Sequence, residues 1–380
     1  MSLQRPIAVA NLEFVGSIAV SDSEGATQGR SWKKEGKPSI KTIQSKNGEL
    51  YDCVDIYKQP AFDHPLLKNH TLQLKPSFLP NGLKPAKPKP ATFYGFNDTC
   101  PSGTILIERS QKSDYFRSHP VDEKTESGDY FAIIETNTKG PNLFYGASAR
   151  MTTHLFSLLP TQVSASSIFL FGGAHGPRYD LNVIEAGWHY SPNEYNDYVP
   201  RFFTYWTRDG YSNSGCGNLR CPGFVRTTSS PIGPGSPIKD FSVYGGEEVS
   251  FSLQIYKDPS TSNWWFLLQG ESIGYYPREL LPNMDGGIDK IQMGGRVFSF
   301  LKDPSPPMGS GHPYYEGRNK AAYFTQVQLI DPMSRLYNIE PQFLNFISDL
   351  PDYYGIGDYH LANPNDGYVF AYGGLGGFRK

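Results

Sequence analysis

The sequence predicts an all-β fold, a large antiparallel β-sandwich preceded by a smaller domain, and three observations carry that reading. Its 380 residues include 39 glycines and 31 prolines, a turn-forming excess without the fixed period of collagen. Aromatic side chains make up 14 % of the chain, too many for a disordered one. From Tyr130 onward, β-branched and aromatic runs recur between Gly, Pro, Asn and Asp at roughly ten-residue intervals, the spacing of strands and turns in a sandwich.

Taken in order, the expected strands are Tyr130–Thr136, Ser167–Phe171, Val183–Tyr190, Arg201–Arg208, Val249–Tyr256, Trp264–Leu268, Ile291–Phe300 and Ala321–Ile330. Turn formers bound each of them. Glu340–Leu350 alone has a helical cast, and no internal repeat is visible. Upstream, Lys84-Pro-Ala-Lys-Pro-Lys-Pro90 should be extended and lie outside any sheet, because proline has no N–H to give to a ladder. Ser110–Gly128 lacks apolar periodicity and contains Pro120, which places a domain boundary there.

Charge narrows the function classes. A formal net charge of −2 argues against nucleic acid as a partner, since phosphate binding needs a clustered positive excess. The charge is also uneven: residues 1–118 carry 16 Lys+Arg against 11 Asp+Glu, and residues 119–380 carry 19 against 26. Two separately solvated surfaces would explain this, as would attraction between a basic N-terminal part and an acidic main domain, weakened by acid. No uninterrupted apolar window is long enough to span a membrane. Residues 6–20 are mildly apolar, but Asn11 and Glu13 interrupt any signal-peptide core, so no clear signal peptide is expected.

Cysteines and sequons bear on compartment. Cys216 and Cys221 enclose a short, turn-rich loop suited to a local disulfide, which leaves Cys53 and Cys100 to pair; four buried thiols are the alternative. Asn69-His-Thr and Asn97-Asp-Thr are glycosylation sequons. Together these favour an extracellular or vacuolar protein.

The chain has no GxGxxG, P-loop or HExxH motif, its eight histidines are dispersed, and neither cofactor nor metal is expected. Carboxylates on strands are more informative. In Asn182-Val-Ile-Glu-Ala-Gly-Trp-His-Tyr190, alternation puts Glu185, Gly187 and His189 on one face. A carboxylate among small and polar neighbours suggests a face left open as a cleft, where burial would raise its pKa and fit it for acid–base work. An exposed strand glutamate is the plainer alternative.

A series of blocks then resembles one family. IEAGW (184–188), RFFTYWTRDGY (201–211), SGCGNLRCPGFV (214–225), VYGGEE (243–248), KDPSTSNWWFLL (257–268), GYYP (274–277), IQMGG (291–295) and MGSGH (308–312) are similar, in that order, to the neprosin catalytic domain. Residues 40–77 and CPSGTILIER (100–109) resemble the activation domain that precedes it. The resemblance implies secreted, plant-dominated glutamic endopeptidases that cleave after proline at acidic pH. It also implies a zymogen, a monomer whose partners are a proline-containing peptide or protein and its own activation domain in cis, and two glutamates facing across a cleft. It divides the chain into an atypical N-terminal segment (1–29), an activation domain (30–118), a linker (119–128) and a sandwich domain (129–380). His119-Pro120-Val121 is a suitable maturation site in that linker.

Carried over residue by residue, Glu185 matches the first catalytic glutamate, whereas the position of the second holds Arg296. An arginine facing Glu185 should hold it ionised and lower its pKa, which defeats the proton sharing of paired carboxylates. Gln292 lies on the same strand face as Arg296 and is a weak substitute as an oxyanion donor, roughly 13 Å away along a regular strand. Glu271 is a further acidic candidate. Trp188, Tyr205 and Trp206 are expected to line either the cleft or the core. Two functions follow: a proenzyme of doubtful activity, or an inactive neprosin-fold module that binds proline-rich or cell-wall polymers.

Overall fold

Side-chain alternation decides the architecture. A computed structural model describes residues 37–80, 89–109, 127–137, 143–359 and 367–378. In chain order the strands are β1 (Ser39–Gln44), β2 (Leu50–Asp55), β3 (Lys89–Pro90), β4 (Thr104–Glu108), β5 (Ser127–Thr136), β6 (Gly146–Thr152) and β7 (Val163–Gly172). They continue with β8 (Asn182–Tyr190), β9 (Arg201–Thr207), β10 (Cys216–Gly217), β11 (Val225–Arg226), β12 (Val249–Lys257), β13 (Trp264–Leu268) and β14 (Glu271–Tyr276). The last are β15 (Lys290–Phe300), β16 (Ala322–Ile330), β17 (Leu336–Asn338), β18 (Leu344–Ser348), β19 (Gly355–Asp358) and β20 (Phe370–Gly373).

Two sheets form the sandwich. One has seven strands in the order β10-β9-β8-β7-β15-β5-β18; the other runs β11-β14-β13-β12-β6-β16-β20-β19, with β17 on β16 and β3 on β12. Ile184, Ala186 and Trp188 of the first sheet and Phe251, Leu253, Ile255, Trp264, Phe266 and Leu268 of the second belong to one buried apolar cluster. Successive side chains point to opposite faces, so Trp265 and Leu267 emerge on the outer side of the second sheet. There they join Tyr256 and Tyr275 beneath Ala61, Phe62 and Leu72 of the N-terminal part. That cover explains why Trp264–Leu268 reads as an unbroken apolar run: the strand is buried on both faces.

The N-terminal part contains a three-stranded antiparallel sheet, β1-β2-β4. Cys53 of β2 is bonded to Cys100, and Cys216 of β10 is bonded to Cys221, with Cα separations of 5.5 and 6.1 Å. Asn69 and Asn97 lie on exposed loops. No helix among the described residues is long and apolar enough to cross a membrane.

Each of the eight expected runs is a strand, but two other expectations need correction. Glu340–Leu350 is not helical: a single 3-10 turn (Pro341–Phe343) leads into β18, which pairs with β5. Cross-strand pairing outweighs a weak local helical preference. Lys89–Pro90, the end of the basic proline-rich stretch, does join a sheet; it runs parallel to Val249–Ser250 of β12. Proline is tolerated there because the following residue supplies the donor, from Ala91 N–H to the Ser250 carbonyl at 2.7 Å. At the joint between the parts, ion pairs of both polarities occur. Arg201 of the sandwich, 1 % exposed, pairs with Glu49 of the N-terminal part and with its own Asp197, while His70 faces Glu279 at 3.2 Å. Summed charge sets a long-range field and does not dictate which individual residues meet.

Candidate active site

Register builds a trough on the outer face of the seven-stranded sheet. Glu185 of β8 stands opposite Tyr205 of β9 and Phe169 of β7, and Phe169 stands opposite Gln292 of β15. Two residues along, Gly187, Ser167 and Gly294 are aligned; two further on, His189, Ala165 and Arg296 are aligned. The middle row has almost no side chain and therefore forms a floor. A Cβ at Gly187 would lie 1.9 Å from the Ser166 carbonyl oxygen, and one at Gly294 (φ +149°) 2.3 Å from that of Ala132. Gly295, the other half of the glycine pair, faces the core against Met308 and Tyr372.

Glu185 is 2 % exposed and accepts a hydrogen bond from the Ser167 hydroxyl at 3.0 Å. Arg296 meets it across the floor, with Nη1 3.5 Å from Oε2, while its Nε donates to Asp129 of β5 at 2.9 Å. The guanidinium therefore bridges two buried carboxyl groups. Arg296 lowers the Glu185 pKa as expected, but it does not decide the net direction. Burial raises it, the attraction of Arg296 and the Ser167 bond lower it, and the net direction is upward. Asp129 contributes to this by repelling charge on Glu185. Arg296 is itself held protonated: burial opposes its charge, but Asp129 and Glu185 outweigh that.

Aromatic rings wall the trough. Phe169 packs on Phe131 and Phe171, and Tyr205 lies 5.7 Å from Tyr211. Burial, then the charge of Glu185, pushes the Tyr205 hydroxyl up to about 12, and the same two causes push Tyr211 well above its ordinary value. His189 stacks on Phe203 at 4.3 Å and meets the Tyr195 hydroxyl at 3.1 Å. Burial drives its pKa down to about 4, with the Glu194 charge opposing and Arg220, Arg201 and Arg296 assisting.

Of the three aromatic candidates, only Tyr205 stands on this face. Trp188 and Trp206 are core residues: alternation turns both inward, and the Trp188 indole N–H donates to the Thr152 carbonyl at 2.9 Å. Gln292 shares a row with Glu185 but stands two strands away behind Phe169, and its amide donates to Glu135 at 2.6 Å. Glu271 lies in the other sheet, where it accepts from Ser230 at 2.9 Å. The spacing Gly270-x-Ser272-x-Gly274 occurs on the hairpin joining β13 and β14, whereas a serine nucleophile of that spacing needs a strand-to-helix turn. Among the described residues, no three His, Cys, Asp or Glu side chains converge as a metal would require.

Asp129 and Ser167 escaped the sequence reading. Ser167 is legible only from the register of β7 against β8. Asp129 abuts the stretch assigned to the linker, yet alternation along β5 puts it on the face of Phe131, Ile133 and Glu135.

In this arrangement Glu185 can hold a proton in a poorly solvated site, and Ser167 can orient its carboxyl. Among the described residues, the group that faces Glu185 across the floor is the Arg296 guanidinium rather than a second carboxyl. Among solved structures, crystal structures of scytalido-glutamic peptidase are similar at 8 and 9 % identity. Each covers 66 % of this chain and 98 % of that one, with TM-scores of 0.33 and 0.31. The sialyllactose-bound CBM40 of Ruminococcus gnavus IT-sialidase is similar at 13 %, covering 47 % and 92 %, with a TM-score of 0.22. Likenesses this slight decide nothing about chemistry. The family comparison is decisive: the Neprosin profile matches residues 160–375, more than half of the chain, and the Neprosin activation peptide profile matches residues 42–143. The chain belongs to the neprosin family, with an N-terminal activation peptide ahead of its β-sandwich.

Proposed function

We propose that this neprosin-family chain is a precursor whose sandwich holds an extended, proline-containing peptide along the Gly187–Ser167–Gly294 floor without hydrolysing it. The observation behind this reading is the guanidinium of Arg296 seated between Glu185 and Asp129. Hydrolysis by paired carboxyls needs one group to take a proton from water while its partner gives one to the leaving amine. Glu185 can supply a proton, but Arg296 cannot accept one, and Gln292, already engaged by Glu135, is a poor oxyanion donor. The half-buried rings of Phe131, Tyr205 and Tyr211 offer faces for proline rings, and a peptide backbone reaches the small-residue floor, where Ser167 is fully buried, by displacing the side chains above it.

The rest of the reading follows the family. Residues 30–118 act as the activation domain, 119–128 as the linker and 129–380 as the sandwich domain, although β5 already begins at Ser127. The maturation site after Pro120 lies outside the described residues. Two disulfides and two exposed sequons support an extracellular or vacuolar, glycosylated protein, and the monomeric state is carried over from the family.

The test is incubation of the acid-treated protein with a proline-containing peptide at about pH 3–5, beside Glu185→Gln and Arg296→Glu variants. Peptide binding is read by fluorescence anisotropy and cleavage by mass spectrometry. The expected outcome is binding without cleavage by the natural protein, with Arg296→Glu restoring cleavage. Turnover by the natural protein that disappears in Glu185→Gln would overturn the non-hydrolytic reading and make the chain a peptidase.

A further inference from the structure

We infer that residues 37–109 are built into the sandwich, so that at neutral pH they stay bound without a covalent link when the connection between them and β5 is cut. The inference rests on packing and hydrogen bonding, and holds whether or not Glu185 hydrolyses peptides.

Two sheet edges of the sandwich are completed by this segment. The first is β11, which pairs with β14 on one side only. Its other side is met by the fully buried Gln59, whose amide oxygen accepts from Arg226 N–H at 2.8 Å. The same amide donates to the Arg226 carbonyl at 3.1 Å and to the Ile56 carbonyl at 2.8 Å. One side chain thus takes the place of a neighbouring strand. The Arg226 guanidinium continues the joint, donating to the Leu106 carbonyl of β4 at 3.1 Å. The second edge is the start of β12: β13 pairs with Leu253–Lys257, and β3 occupies the Val249–Ser250 stretch. Gln269 then donates to the Ala91 carbonyl at 2.7 Å. Removing the segment would leave buried backbone groups without partners, a cost that water repays only if the edges become exposed.

The outer face of the second sheet is fitted to the same segment. Gln73 accepts through one oxygen from Thr261 Oγ1 (2.8 Å), Asn263 Nδ2 (2.9 Å) and Trp265 Nε1 (3.1 Å). The fully buried carboxyl of Asp258 accepts from the Ser77 hydroxyl at 2.8 Å and from Gln73 Nε2 at 3.2 Å. Val54, Ile56, Leu67, Ile105 and Ile107 belong to the same buried apolar cluster as the sandwich interior. A segment that lends side chains to the main core is part of that core. Both disulfides close within their own part, so after a cut in the connection only these contacts hold the pieces together.

The experiment inserts a sequence-specific protease site between Ser113 and Asp114 of the full chain, cuts to completion and passes the product over a sizing column at neutral pH and micromolar concentration. Co-elution of both pieces, separated only by denaturant, is expected. Elution of the segment by itself, whether or not the remainder stays soluble, overturns the inference. In the same cut protein, Gln59→Ala with Gln73→Ala should speed exchange of a labelled segment against excess unlabelled segment at least tenfold. If that pair does not fold, Gln73→Ala alone is read the same way, and an unchanged exchange rate overturns the anchoring assigned to these glutamines. Peptide cleavage enters neither readout, so the reading of Glu185 stands or falls separately.

Discussion

Arg226 and Arg296 each carry a guanidinium largely out of bulk water, but from opposite sheets and among different partners. Arg226, 2 % exposed, donates to the carbonyl oxygens of Leu106, Thr228, Ser230 and Ile232. Burial lowers its pKa to about 10, with only distant help from Tyr51 and Glu271. Arg296 bridges two carboxyl groups and is held more firmly protonated than a free arginine. The difference teaches what each charge does. Carbonyl groups satisfy donors without cancelling charge, so the first arginine serves as a hydrogen-bonding rivet between chain segments. Carboxyl groups do cancel charge, so the second arginine works against burial in setting the proton on Glu185.

Breaking the rivet should have the largest effect. Arg226→Ala leaves one buried and three part-buried carbonyl groups short of a donor and should cost about 3–5 kcal/mol in denaturant unfolding. Arg226→Lys should recover less than half of that, because an ammonium cannot span four acceptors in a plane. Full recovery by lysine would mean that Arg226 acts by charge alone and would erase the contrast with Arg296.

Breaking the bridge should have a smaller effect that depends on pH. Arg296→Leu leaves Glu185 and Asp129 without their shared cation and should cost about 2–3 kcal/mol at pH 7. The sign follows from proton binding. The folded pKa of Glu185 already lies above its unfolded value, so the native state binds more protons than the unfolded one in between. Stability is therefore fully present below the unfolded value of about 4.3 and is lost as pH rises through the raised folded value. Without Arg296 the folded value rises further and the loss deepens; in Glu185→Gln the Glu185 part of the slope vanishes. Equal loss at pH 4 and pH 7 in Arg296→Leu would show that the arginine acts through packing rather than through the carboxyls.

How much of this was legible beforehand depends on the range of the interaction. Period-two alternation is local, so eight sandwich strands and the common face of Glu185, Gly187 and His189 could be read directly, whereas β6, buried along its whole length, was not among them. Asp129 could not, because its link to Glu185 passes through Arg296 and across two intervening strands. The net Glu185 shift was open for a related reason: burial and Arg296 were both foreseen, with opposite effects. The sequence displays an opposite charge, but burial by neighbours such as Ser167 and the tyrosines is a property of the closed sheet. Lys89–Pro90 and Glu340–Leu350 were misjudged because β12 and β5 offered them open edges, which local composition does not reveal.

His189 tests how far the Arg296 charge reaches, at a somewhat smaller magnitude. Its folded pKa of about 4 lies below the unfolded value near 6.5, so the native state holds it neutral. Stability is present above the unfolded value and is lost as pH falls toward 4, about 2 kcal/mol of it by pH 5. His189→Gln should flatten this acid limb. In Arg296→Leu the His189 midpoint, followed by NMR titration, should move upward by less than about one unit, since burial is the main cause and Arg296 the last of three cations. A larger rise would make the two ends of the trough one coupled centre.

Gln292 should give the smallest effect, and it sets the boundary of the bridge. Its amide donates to Glu135, which also lies 3.4 Å from Lys290, so Glu135 keeps a cationic partner when Gln292 is replaced. Gln292→Met should therefore cost no more than about 1 kcal/mol, the worth of one hydrogen bond between partly buried groups. The rise and fall of stability with pH attributed to Glu185 should be unchanged, because Phe169 separates the two side chains in the register. A displaced Glu185 window in Gln292→Met would bring the glutamine inside the charge-controlled centre, and with it the possibility of a Glu–Gln pair that the geometry argues against.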